Sequence, residues 1–279
     1  MARQSQPVSN QWNFPVKMVK LFTPAGKETN VHAIQREDTG DVFDRTFTDK
    51  YGIIQNKDLI DLTEAGFASV GLNNYNRSIR TAQGGARLYA TYDFKSSVKK
   101  LAKVGDPIGF RLQVQNSFDG TMMAGFVSGA LCLVCTNGMS RLSSQIELQK
   151  KHFVSLTMDT IQLGLQKAIA MFDNSLVEYD KMTTINVSNE EGSRLLKRLT
   201  DNSTITEKVR EAIEGRWLTP KVSDNNTARS LWGVYNSVTA ELRDLQGDRF
   251  EYSERLGGRL GSVFSEMTNN PVNLAEMLS

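Results

Sequence analysis

The chain has 279 residues, 39% hydrophobic and 23% charged, which suits one large or two modest globular domains and excludes disorder throughout. Thirty-three basic residues against 31 acidic ones leave a net charge of +2, which excludes capture of nucleic acid by bulk charge, so any such site must come from local clustering. No run of eighteen apolar residues occurs, residues 1–10 lack an apolar signal region, and Cys132 and Cys135 are the only cysteines; the expectation is a protein of the cytoplasm of the cell that makes it, with no membrane span and no disulfide framework.

In chain order, residues 1–12 read as a flexible, Gln/Ser-rich arm. Residues 15–22 read as a strand ended by Thr23-Pro24-Ala25-Gly26, and 30–36 with 41–48 as a hairpin across Asp38-Thr39-Gly40. Asn56 reads as the N-cap of an amphipathic helix with Leu59, Ile60, Leu62 and Phe67 on its apolar face. From 77 to 135 the pattern is β again. Leu88, Ala90, Tyr92 and Phe94 share one face of a strand; Ile108, Phe110, Leu112 and Val114 alternate against Gly109, Arg111, Gln113 and Gln115. Asp119-Gly120 is a turn that accepts positive φ, with Asn116 and Asn137-Gly138 as supporting turn residues. The return strand, 122–134, is apolar on both faces and reads as central in the sheet.

After Asn137-Gly138 the period becomes helical. Val154, Met158, Ile161, Leu165, Ala168, Phe172 and Tyr179 form one seam of a long helix, which packs on the sheet or joins subunits. Shorter helices are expected around 192–199, 207–217 and 228–245. Residues 254–279, with Gly257, Gly258 and Gly261, read as loosely ordered. The expected fold is α+β: an antiparallel β-rich N-terminal half with an embedded helix, then a mostly helical C-terminal half including one long helix. The expected divisions are an arm (1–12), a β-rich region (13–140), a helical region (141–250) and a tail (251–279).

Catalytic signatures are sparse. Cys132 and Cys135 lack two further ligands at zinc spacing and lie in an apolar strand, so burial accounts for them better than metal or redox chemistry. Asp119 reads first as a turn residue and second as a carboxylate acting on a substrate or metal. His32 and His152 stand in no nucleophile motif, and no phosphate-binding Gly-rich loop occurs, so any work on DNA is expected to proceed without ATP, cofactor or metal. The strongest lead is basic. Arg77, Arg80, Arg87, Lys95, Lys99, Lys100, Lys103 and Arg111 face only Asp93 and Asp106 within residues 76–111, a local balance of +6. Arg87 and Tyr89 share the polar face of their strand, and Arg111 lies on that of a later one. Guanidinium groups beside a tyrosine suit a single strand, with cations on phosphates and the ring on bases. The bland alternative is a solvated sheet face with a Lys-rich loop.

Four segments resemble, in order and spacing, the phage- and plasmid-borne domain-of-unknown-function family 932: Tyr51-Gly52-Ile53-Ile54-Gln55-Asn56, Asn116-Ser117-Phe118-Asp119-Gly120-Thr121, Cys135-Thr136-Asn137-Gly138-Met139, and Leu231-Trp232-Gly233-Val234-Tyr235-Asn236-Ser237-Val238-Thr239. Where the family usually has His before Asp-Gly, this chain has Phe118, so a catalytic histidine is not expected there. The resemblance implies a phage, plasmid or integrative-element setting and a layout similar to that of strand-annealing recombinases. The expected function is a non-catalytic single-stranded DNA-binding and annealing protein of recombination or replication. By the same analogy it assembles with itself as a ring or filament and works beside a phage exonuclease or host protein. The alternatives are a phage protein-interaction module and a metal-dependent hydrolase using Asp119.

Overall fold

The computed structural model describes residues 12–101, 104–132, 138–147, 156–224, 226–245 and 249–279. The arm (1–11), Lys103, Cys135, Asn137 and His152 lie outside them, as do the side chains of Lys95, Cys132 and 138–147. Strands β1 (Val16–Phe22), β2 (Glu28–Arg36) and β3 (Val42–Phe47) form an antiparallel sheet in chain order. Helix α1 (Asn56–Phe67) leads to a five-stranded antiparallel meander of β4 (Tyr75–Ala82), β5 (Arg87–Lys100), β6 (Pro107–Ser117), β7 (Gly125–Cys132) and β8 (Gly138–Glu147). Helices α2 (Met158–Thr184), α3 (Asn189–Asp201), α4 (Glu207–Leu218), α5 (Leu231–Asp244), α6 (Phe250–Asn269) and α7 (Pro271–Leu278) complete the α+β fold. Among the described residues no helix is long and apolar enough to cross a membrane.

The period-two alternation decides how the five-stranded sheet is covered. Leu88, Ala90, Tyr92 and Phe94 of β5 pair laterally with Asn116, Val114, Leu112 and Phe110 of β6, placing their side chains on one face. Helices α1 and α2 bury that face: Phe67 meets Tyr92 and Phe94 edge-on at ring distances of 4.9 and 5.1 Å, and Phe172 lies 5.2 Å from Phe110. Gly66 lets α1 and α2 approach each other, since a Cβ there would come within 2.9 Å of Ile161. The expected seam of the long helix is the buried one, with Ile161, Leu165, Ala168, Phe172 and Tyr179 all inside. A second, smaller core joins the three-stranded sheet to the end of β6 through Phe14, Val16, Ile34, Phe43, Phe47, Ala86 and Phe118.

Side-chain caps set most helix starts. Thr157, Ser188, Thr206, Ser230 and Asn270 each accept a backbone N–H of the following helix, and Ser188 with Glu191 forms a reciprocal capping box. In α5, Trp232 and Tyr235 pack with Tyr179, and Trp232 Nε1 donates to Asp106 Oδ2 at 2.9 Å, tying the helical half to the β5–β6 connection. Trp217 is buried against Gly192 and Gly233, where a Cβ would collide with its surroundings.

Three expectations need correction. Gln55, not Asn56, occupies the N-cap of α1; the Gln55 amide clamps both backbone groups of Val16, while Asn56 donates to the Trp12 carbonyl and accepts from Asn116. The stretch after Gly138 is strand β8 to Glu147, paired with β7, and the long helix begins at Met158 rather than near Val154. Residues 251–279 are not a loose tail but fall in α6 and α7, with Leu256, Leu260, Phe264 and Met267 fully buried. Gly257, Gly258 and Gly261 are buried within α6, a helix that lies beside β8, and do not break it.

Candidate nucleic-acid interface

The second face of the meander carries the expected basic residues, and the register decides which. Arg80 pairs laterally with Tyr89, Tyr89 with Gln115, and Asp93 with Arg111, so Arg80, Arg87, Tyr89, Gln113 and Arg111 share this polar face. Arg77 does not. It pairs with Tyr92 on the opposite face, where it binds Glu64 of α1 at 2.6 Å and Tyr92 donates to the same carboxylate. Past an irregularity in β5 between Phe94 and Val98, Lys99 pairs with Asp173 of α2, and Lys100 is exposed at the strand end. The nine basic and aromatic candidates therefore do not form one surface.

On the polar face itself the cations are already engaged. Arg111 donates through Nε and Nη2 to Asp93 at 2.6 and 2.9 Å. Arg87 donates through Nε to Asp119 at 2.6 Å and through Nη1 to Glu251 of α6 at 2.9 Å. Tyr89, expected as a stacking ring, is buried; its hydroxyl donates to Glu251 at 2.8 Å, and Phe250 meets its ring edge-on at 5.1 Å. Arg80, exposed on edge strand β4, lies over the Phe250 ring at 5.1 Å. Gln113 donates to Glu254 at 3.0 Å. The first two turns of α6 thus lie on the polar face.

These contacts set the protonation of the acids. Burial alone would raise Glu251, but hydrogen bonds from Arg87, Tyr89 and Gln83 outweigh it and hold the carboxyl below its ordinary value. Burial likewise opposes ionisation of Asp119, and bonds from Thr121 and Arg87 overcome it. Burial and the Glu251 charge push the Tyr89 hydroxyl far above the tyrosine range. For Glu254 burial wins over Gln113 and Arg111, and its carboxyl is pushed up.

The turn residues behave as backbone hardware. Asp119 Oδ1 accepts from the Thr121 N–H and hydroxyl, and Gly120 takes φ +62° beneath Phe47 and Arg45. Asn116 lies on the helix-covered face, not in the turn, and its amide donates to the Ile54 carbonyl and to Asn56. Phe118 is core, 5.6 Å from Phe43 and 5.9 Å from Phe14. Gly138 opens β8. Among the described residues no group of three or more His, Cys, Asp or Glu side chains could hold a metal ion. Of the acids that engage the candidate cations, Asp93 was counted in the basic window, whereas Glu64, Asp119, Asp173 and Glu251 lie outside it and were missed by local charge counting. A signal existed only for Gln113, on the polar side of its alternating strand.

The geometry defines an α+β protein whose meander buries one face under α1 and α2 and turns a polar arginine–carboxylate face toward α6. Residues 45–251, about three-quarters of the chain, match the family described as Domain of unknown function (DUF932), and the chain belongs to that family. No curated protein and no solved structure matches it. Strands β1, β2 and the start of β3, together with most of α6 and all of α7, lie outside the matched segment.

Proposed function

We propose that the protein binds a single nucleic-acid strand along the polar face of the meander, without turnover and without ATP, in the recombination or replication of a phage or other mobile element. One observation carries the reading: Arg80, Arg87 and Arg111 stand on adjacent strands of one face. Arg87 and Arg111 are each held in orientation by two carboxylate bonds. A guanidinium has five N–H donors, so each keeps some for a phosphate after those bonds, in a side chain whose rotamer is already fixed. Self-assembly into a ring or filament, which would extend the face from one subunit to the next, belongs to the same reading.

Fluorescence anisotropy with a labelled oligothymidylate across a salt series tests it. With two such phosphate contacts, log K against log salt has a slope of about −1.4, far shallower than the window charge of +6 would give. No binding at low salt overturns the reading.

A protein partner is the second reading, and two observations favour it. Carboxylates match the arginines on the polar face. The outer face of the three-stranded sheet presents Val19, Leu21, Val31 and Val42, with Phe22 59% exposed at its tip. Affinity capture that loses its partner on Val31→Asp would support this second reading.

A further inference from the structure

Glu251 and Glu254 enter the polar face in the way a ligand would. Both come from one element, the first two turns of α6, and both accept from the meander: Glu251 from Arg87 and Tyr89 of β5 and Gln83 of the β4–β5 turn at 2.9, 2.8 and 3.2 Å, Glu254 from Gln113 of β6 at 3.0 Å. A carboxylate is an acceptor-only anion, as is a phosphodiester oxygen, so the two compete for the same donors. Phe250 meanwhile covers the Tyr89 ring and lies under Arg80, where a base would otherwise stack. The acids and the ring together reproduce the alternation of anion and aromatic surface of a bound strand.

The start of α6 is uncapped. Arg249 holds the N-cap position with no side-chain cap bond, as Gln55 does at α1, whereas α2, α3, α4, α5 and α7 each have one. The anchor of α6 is Ser253, whose hydroxyl donates to the Leu242 carbonyl, with Leu256, Leu260 and Phe264 beyond it. Fraying of the uncapped start frees Phe250 and Glu251 ahead of that anchor, and Glu254 leaves Gln113 by side-chain rotation.

We infer that the first two turns of α6 are an intramolecular competitor of the strand, with Phe250, Glu251 and Glu254 occupying the polar face until nucleic acid displaces them. This inference rests on the nucleic-acid reading above and adds its regulation: the unliganded protein is held in a low-affinity state. Any partner or assembly contact that draws the start of α6 away raises affinity for the strand.

The test compares the full chain with Glu251→Gln/Glu254→Gln, each titrated against a fluorescein-labelled thirty-nucleotide oligothymidylate at low salt. The double variant is expected to bind about tenfold more tightly, because the Glu251 anion and the Glu254 carboxyl acceptor leave the phosphate path. Adding Arg87→Ala is expected to remove that gain. Phe250→Ala, which loosens the same turns without altering charge, is expected to tighten binding several-fold and serves where the charge variant does not fold. If the double variant and Phe250→Ala bind as the parent does while Arg87→Ala weakens binding, the competitor is overturned and the nucleic-acid reading stands. If neither the parent nor any folded variant binds, the nucleic-acid reading itself falls, and the competitor with it.

Discussion

The Arg87 guanidinium donates to Asp119 Oδ2 at 2.6 Å, joining the start of one strand to the turn that ends the next. The same carboxylate closes its own turn on Thr121. Asp119 therefore holds a turn and a cation at once, and Asp119→Asn separates a structural from a chemical role. The substitution keeps the shape and weakens the ion pair, so a loss of about 1–3 kcal/mol is expected in urea unfolding. A divalent-ion-dependent hydrolysis lost in a variant of unchanged stability would show the carboxylate acting chemically.

Gly120→Ala is expected to destabilise by roughly 1–3 kcal/mol, because φ there is +62° and the new Cβ would come within 3.0 Å of the Phe47 ring. Thermal unfolding measures the loss. A melting temperature equal to that of the parent would mean that this turn relaxes freely.

Asn116 is buried and holds the Ile54 carbonyl and Asn56 Oδ1. Asn116→Ala leaves both acceptors without their donor and is expected to cost about 2 kcal/mol. Chemical denaturation of the variant, read against Asn116→Asp, tells loss of the donor from loss of volume.

Arginine substitution distinguishes the two faces of the meander. Arg77 is bound to Glu64 on the helix-covered side, so Arg77→Ala is expected to leave affinity for an oligonucleotide unchanged. Arg80→Ala with Arg111→Ala is expected to weaken it about tenfold and to reduce the salt slope. Equal losses from Arg77 and from the pair would contradict the assignment of the polar face.

Acid and base sides of the pH range report different carboxylates. Asp119 and Glu251 are held below their ordinary values of 3.8 and 4.5, so they contribute stability above those values and lose it as pH falls through their folded pKa. Glu254 is raised, so the sign reverses: its contribution is intact below 4.5 and is lost as pH rises through its folded pKa. Glu254→Gln is therefore expected to gain on the parent as pH rises, measured by the denaturation midpoint from pH 4 to 9. A constant difference across that range would place the carboxyl in solvent.

Strands β5 and β6 were legible because their apolar residues recur at every second position over a long run. Strand β8 was not: Leu142 and Ile146 stand four apart, a spacing that is even for a strand and one turn for a helix, so periodicity could not choose. The glycines of α6 argued for looseness because their helix-breaking tendency is local, whereas the tertiary packing that buries them is not. The same distance blindness governed the site. The window around Arg87 read as strongly basic, yet its partner Glu251 lies 164 residues further along the chain. Arg77 and Arg80 stand three apart in one strand, so alternation alone puts them on opposite faces; lateral register was needed to say which of them joins Arg87 and Arg111.

The position of α6 in the chain also sets an order of events. The meander is complete at Glu147, but the helix that contacts its polar face begins at Phe250, roughly a hundred residues later. During synthesis α1 and α2 can close one side of the sheet while the other still awaits Glu251 and Glu254. The nascent chain thus passes through a stage in which Tyr89 and Gln113 await their α6 carboxylates and Arg87 is held by Asp119 alone. On the proposed nucleic-acid reading, a ribosome-bound chain halted before residue 250 lacks Glu251 and Glu254 on that face and would hold a polyanion more strongly than the finished protein.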